Sequence, residues 1–135
     1  MLFLVSSLFA PATASNAAEV HLYVFLVRHG QSTDNAAGLQ SGWSPAALTP
    51  LGVRQAKAMG AKLAAQDFVA AYSSGLPRAT QTLDNLLTGR SVPTFTDPNF
   101  REWGVGSFDE KPVGVLEAAI AKKMKTKPEF LWKFT

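Results

Sequence analysis

Val24-Phe25-Leu26-Val27-Arg28-His29-Gly30 is the stretch that decides the fold. Its apolar half is short, unbroken and rich in β-branched and aromatic residues, which predicts a buried strand. Gly30 then predicts a sharp exit from the sheet. An imidazole beside a guanidinium is thereby held at a strand's C-terminal end, the place where open α/β sheets bind ligands. Gln31-Ser32-Thr33-Asp34-Asn35 follows with hydroxyls, amides and backbone N–H groups. Such a set suits an anion, above all a phosphate.

The chain on either side alternates strand and helix. The deciding strand extends over Val20–Arg28. Thr49 is an N-cap with Pro50 at the first helical position, and Leu51, Ala56, Met59 and Leu63 make an approximate apolar face. Phe68–Tyr72 is predicted as a second strand, and Pro77 opens a helix that Gly89 ends. Val92–Phe95 is predicted as a third strand and Val113–Met124 as another helix. This order implies an α/β fold, a three-layer sandwich with a mainly parallel sheet flanked by helices.

Composition narrows the function. A chain of 135 residues, 47% hydrophobic and 17% charged, can bury one core. The net charge of +3 is modest, and its late basic cluster (Lys122, Lys123, Lys125, Lys127) reads as a solvated helix face and its flank. No nucleic-acid-binding motif accompanies it. The chain has no cysteine, which excludes disulfides and thiolate metal sites.

Residues 1–18 differ from the domain assigned to 19–135. Leu2 to Ala10 is apolar apart from Ser6 and Ser7, Pro11 interrupts it, and Ala12-Thr13-Ala14 offers small residues at a cleavable spacing. The pattern predicts a secretory signal peptide cleaved after Ala14, and hence a secreted or extracytoplasmic protein. The run is too short for a stable membrane span. No Lys or Arg precedes it, so a disordered extension on a cytoplasmic protein is the alternative.

Four segments align in order with one family. They are Val27 to Asn35; Ser41-Gly42-Trp43 with Leu48-Thr49-Pro50-Leu51-Gly52; Ala71-Tyr72-Ser73-Ser74-Gly75-Leu76-Pro77-Arg78-Ala79-Thr80-Gln81-Thr82; and Phe100-Arg101-Glu102-Trp103-Gly104-Val105-Gly106-Ser107-Phe108-Asp109. Together they resemble the histidine phosphatase superfamily, in its phosphoglycerate-mutase-like branch, from about Val20 to Pro112. The resemblance implies that His29 is a nucleophile that becomes a phosphohistidine. It implies that Arg28 and Arg78 hold the phosphoryl oxygens, with Asn35 reaching phosphate or substrate. Glu102 matches the proton donor to the leaving alcohol, and Ser41 and Gly42 match a loop that touches substrate. It implies a small phosphorylated substrate, no cofactor and no metal.

The residues suit that chemistry independently. Phosphoryl transfer needs an in-line nucleophile, cations around the equatorial oxygens and an acid for the leaving oxygen. Neighbouring guanidiniums disfavour a second positive charge, which keeps an imidazole neutral and nucleophilic. Arg78 falls in the first turn of its helix, where backbone N–H groups add to an anion site. Trp43 and Trp103 line a pocket or pack in the core, and His21 begins its strand far from the ligand end, so it reads as structural.

The departures from the family pattern carry information too. Pro45 stands where the family often has an acidic residue, and Val105 and Glu110 replace an aromatic and a Gly near the acid. Trp103 takes the place of the Arg that mutases carry there, which argues for phosphatase over mutase. The family completes its pocket with a second His in a Ser-His-Gly-like context on a later strand, whereas His21 and His29 are the only histidines here. The prediction is therefore a metal-independent phosphomonoester hydrolase, incomplete at its C-terminus, weakly active, and prone to self-associate through an unpaired sheet edge. The alternatives are a phosphate-binding pseudo-phosphatase and, third, a phosphoglycerate-type mutase.

Overall fold

The computed structural model describes residues 2–7 and 21–124. Its elements run β1 (Leu2–Ser7), β2 (Leu22–Val27), α1 (Thr33–Ala37), α2 (Pro50–Lys62), β3 (Ala70–Ser73), α3 (Pro77–Leu86), β4 (Thr94–Thr96) and α4 (Val115–Met124), with 3-10 turns at Pro98–Phe100 and Gly106–Phe108. The α/β alternation matches the sequence reading, with boundaries moved by one to three residues.

The four strands form one sheet in the order β2-β1-β3-β4. β3 and β4 pair in parallel, and β1 pairs antiparallel with both β2 and β3. Strands β2, β3 and β4 therefore all point the same way, as βαβ connections require, and β1 runs against them in the middle. The signal-peptide reading gains no support here, because Leu2–Ser7 is built into the sheet and Leu4 is 0% exposed. The expected cleavage site after Ala14 lies outside the described residues, as do Lys125 and Lys127.

One face of the sheet carries the core. Leu4 stands in register with Phe25 on one side and Ala71 on the other. It joins Val27, Phe68, Leu83, Leu86 and Leu87, with Phe25, Met59, Leu63 and Val92 packed around them. Phe25 meets Phe68 edge-on, with ring centroids 5.6 Å apart. Helix α3 reaches this core with Ala79, Thr82, Leu83 and Leu86, a helical repeat, and α2 packs beside it. The α2 face is shifted from the sequence reading: Gly52 and Ala56 are buried, whereas Leu51 is exposed. The opposite sheet face is left open among the described residues, where Leu22, Val24 and Leu26 on β2 and Phe95 on β4 are exposed.

The helix starts follow local chemistry. Thr49 Oγ1 accepts from the Gly52 N–H at 3.1 Å and Pro50 follows it, so α2 starts where the sequence places it. Pro77 likewise opens α3, although its N-cap, Leu76, supplies no side-chain hydrogen bond. The short α1 is unforeseen. Ser32 caps it by accepting from Asn35 N, while Asn35 Oδ1 accepts from Ser32 N at 3.1 Å, a reciprocal capping box built on Asn. On α4, Lys122 and Lys123 are exposed in the last turn, where the helix dipole favours cations.

Candidate active site

The site is built where β2 and β3 end together. Leu2 of β1 stands in register with Val27 on one side and Ser73 on the other. Arg28-His29 and Ser74 therefore leave the same end of the sheet, about two strand spacings, or roughly 10 Å, apart. Gly30 is required here by close approach rather than by an unusual backbone angle. A Cβ on it would run into the Gly52 carbonyl at the start of α2, and a Cβ on Gly52 would run into the Gln31 carbonyl. Two facing glycines thus bring the His29 turn against α2. The Gly30 N–H donates to Thr82 Oγ1 at 3.1 Å, and Thr82 donates in turn to the Arg78 carbonyl at 2.6 Å. Thr82, fully buried, is a supporting residue whose role has no local signal in the sequence, since its partner Gly30 lies 52 residues away.

His29 is half-buried, and its Nδ1 bonds the Gly30 carbonyl oxygen at 2.7 Å. A carbonyl only accepts, so Nδ1 carries the proton and the lone pair lies on Nε2. Burial lowers the imidazole pKa most, Arg78 and Arg28 lower it further, and the Gly30 carbonyl opposes them by favouring the protonated ring. The balance lies below the ordinary histidine range, toward a neutral ring with a free Nε2. A cavity of about 260 Å³ borders His29 on its α2 side, between Gln55, Met59 and Thr82.

Arg78 is 1% exposed, the largest fully buried side chain among the described residues. Its Nη2 donates to the Gly42 carbonyl at 2.7 Å and its Nη1 to the Ser44 carbonyl at 3.3 Å. Burial weakens its hold on the proton, and the charges of Asp34, Glu102 and Asp109 offset this. Asp34 is itself buried and accepts from Ser44 Oγ. Arg78 Nε, Ser74 Oγ and Ser41 Oγ are buried without a hydrogen-bond partner. Buried donors left unused are unusual and expensive, and this trio lies along the segments that the sequence reading assigned to phosphate and substrate.

The remaining candidates spread around this centre. Arg28 is exposed beside His29. Glu102 is exposed, and its Oε1 accepts from the N–H of Trp103 at 3.1 Å. Gly42 is buried at φ +39°, a left-handed conformation, and a Cβ there would also strike the Asp109 carboxylate. Asn35 is exposed, and its Oδ1 is spent on the α1 cap. Among the described residues no group of three or more His, Asp or Glu side chains is placed to hold a metal ion. A larger cavity of about 430 Å³ lies away from this chemistry, between α2 and α3 at Lys57, Asn85 and Arg90. Arg90 there is already committed to the Leu63 and Gln66 carbonyls and to the Phe68 ring.

Residues 24–134 match the model of the histidine phosphatase superfamily, branch 1. The chain belongs to that superfamily. It is 35% identical over 95 residues to a Yersinia pestis protein described as "Probable phosphoglycerate mutase GpmB", covering 70% of this chain and 44% of the relative. Among solved structures it resembles the phosphoglycerate mutase of Bacillus anthracis, with a TM-score of 0.73 and 28% identity over 79% of this chain and 49% of that one. It also resembles the α-ribazole phosphatase of Shigella flexneri, with a TM-score of 0.64 and 29% identity over 73% and 49% of the two chains. A mycobacterial glucosyl-3-phosphoglycerate phosphatase solved with VO3 aligns with a TM-score of 0.60 and 25% identity, over 93% of this chain and 53% of its own. The chain thus spans about half the length of these members of the superfamily.

Proposed function

We propose that this chain carries the nucleophilic half of a phosphomonoester hydrolase that works through a phosphohistidine on His29, without a metal. The single observation that carries the reading is the Nδ1 bond from His29 to the Gly30 carbonyl, 2.7 Å long, which leaves Nε2 free to attack on a ring whose pKa burial, Arg78 and Arg28 lower. Nε2 forms a bond to phosphorus as the ester P–O bond breaks. Arg28 and Arg78 stabilise the equatorial oxygens, and Glu102 gives its proton to the departing alcohol oxygen. Water then takes the phosphoryl group from Nε2, with Glu102 as the base that receives a proton. Asn35, Ser41 and Gly42 border the substrate. The substrate class is a small phosphorylated metabolite, in keeping with phosphatases and phosphoglycerate mutases among the chain's relatives.

Acid-labile phosphate from a labelled phosphomonoester should be trapped on the native chain and be absent from His29→Ala. Label that persists in the variant rules out His29 as the nucleophile. A second reading is a phosphate-binding protein without turnover. It is favoured by the buried donors Arg78 Nε, Ser41 Oγ and Ser74 Oγ, which suit an anion, beside a Glu102 that stands exposed. Phosphate binding with no trapped phosphoenzyme would select it. We propose in addition that the protein acts outside the cytoplasm and that its sheet edge supports self-association.

A further inference from the structure

Glu102, the proposed acid, stands in a loop and Arg78, the proposed phosphate ligand, in the first turn of α3, and one side chain joins the two segments. Trp43 is 53% exposed, too open to be explained as core packing. Its indole Nε1–H nevertheless donates to the Glu102 carbonyl at 2.7 Å, and its backbone N–H donates to Asp109 Oδ1 at 3.3 Å. Its ring lies against Gly104, where an added Cβ would meet ring atoms at 3.0–3.3 Å. The Arg101 guanidinium stacks over the same ring, 5.5 Å from its centroid, and its Nε donates to the Ser74 carbonyl at 3.3 Å. The residues on either side of Trp43 are the two whose carbonyls hold Arg78, at 2.7 and 3.3 Å. An unbroken path therefore runs from Arg78 through Gly42–Ser44 and the Trp43 indole to the backbone of Glu102.

The Glu102 carboxylate has little to hold it otherwise. It is exposed, and its Oε1 accepts from the N–H of its own neighbour, Trp103. A general acid works only within hydrogen-bond reach of the leaving oxygen, and a misplacement of about 1 Å costs about a hundredfold. Resting on the phosphatase reading above, we propose that Trp43 is a positioning residue for Glu102: its indole fixes the acid segment relative to the phosphate held by Arg78, and Arg101 braces the indole from its other side. Trp43 touches neither phosphorus nor the leaving oxygen in this role. Its contribution falls on the two steps in which Glu102 moves a proton, and only the first of them, protonation of the leaving oxygen, depends on the ester.

Trp43→Phe tests this, because it keeps a ring against Gly104 and under Arg101 but removes the N–H. Turnover is compared on p-nitrophenyl phosphate, whose leaving group needs no proton, and glycerol 2-phosphate, whose leaving group does. The variant should lose about tenfold more kcat/KM, which reports the steps up to phosphoryl transfer, on the alkyl ester than on the aryl ester, by misplacement of the acid. Arg101→Met should act in the same direction and guards against a folding defect peculiar to position 43. In a Glu102→Gln background, Trp43→Phe should add no further alkyl-selective loss, since the group it positions is gone. Equal losses on the two esters, or full additivity with Glu102→Gln, would overturn the proposal while leaving the phosphatase reading intact. A native chain that turns over neither ester overturns the phosphatase reading, and the role of Trp43 falls with it.

Discussion

Neutral imidazole is the reactive form of His29, and three features of its surroundings favour that form: burial, Arg78 and Arg28. Protonation on Nε2 would block attack, so the sign of the pH effect follows directly. With its pKa lowered, His29 stays neutral to lower pH than a free histidine, whose pKa is about 6.5. The kcat/KM for a phosphomonoester should therefore fall on the acid side with an apparent pKa below 6.5. Arg78→Ala removes the larger of the two repulsive charges, so the acid limb should move upward, part of the way to 6.5, because burial remains. A limb at or above 6.5 in the native protein would contradict the neutral-imidazole mechanism. A rate profile recorded from pH 4 to pH 8, in roughly half-unit steps around the titration range of histidine, measures both positions.

At the level of elements, the strand that most needs a test is β1. An apolar run of six to nine residues has the same composition whether it is a leader or a buried strand, and periodicity does not separate the two. That ambiguity explains why Leu2–Ser7 reads as a signal peptide in sequence and as a central strand in the structure. Leu4→Ala removes a side chain that is 0% exposed and in register with Phe25 and Ala71. It should destabilise the full chain by about 2–5 kcal/mol, as Leu-to-Ala changes in well-packed cores do. Urea unfolding measures it, alongside N-terminal sequencing of protein made in its own host. A native N-terminus at Ser15 with stability untouched by the substitution would mean that β1 is no part of the working fold. Other elements were plain in the sequence because their signals are local. Thr49-Pro50 and Pro77 mark helix starts, and Arg28-His29 marks a strand end by its apolar prefix. The α1 cap was missed because Asn35 does the work usually given to Glu or Gln. The roles of Thr82 and Trp43 were missed because each depends on a partner 52 or 59 residues away, Gly30 and Glu102 respectively.

For the whole molecule, the unequal treatment of the two sheet faces sets the physical behaviour. Helices α2 and α3 cover one face, whereas Leu22, Val24 and Leu26 are 63%, 49% and 61% exposed on the other. These three alternate along β2, so they form one apolar row, and β2 is also an edge of the sheet. An apolar row beside unpaired backbone N–H and C=O groups is a template for another strand. The purified chain should therefore associate in a concentration-dependent way, with sedimentation velocity showing species heavier than the monomer at micromolar concentrations. Val24→Lys puts a charge in the middle of the row and should shift the distribution toward monomer. It should do so with little loss of stability, because the residue is half exposed and lies on the face away from the core. Raising the salt concentration should weaken this effect, since charge repulsion between copies is screened over about 8 Å at physiological ionic strength. The lysine on β2 is also well placed to separate two kinds of contact. Association through the β2 face is suppressed by it, whereas association through β4, the other edge, is untouched. A chain that sediments as a monomer at all concentrations would overturn the association argued from this exposed row.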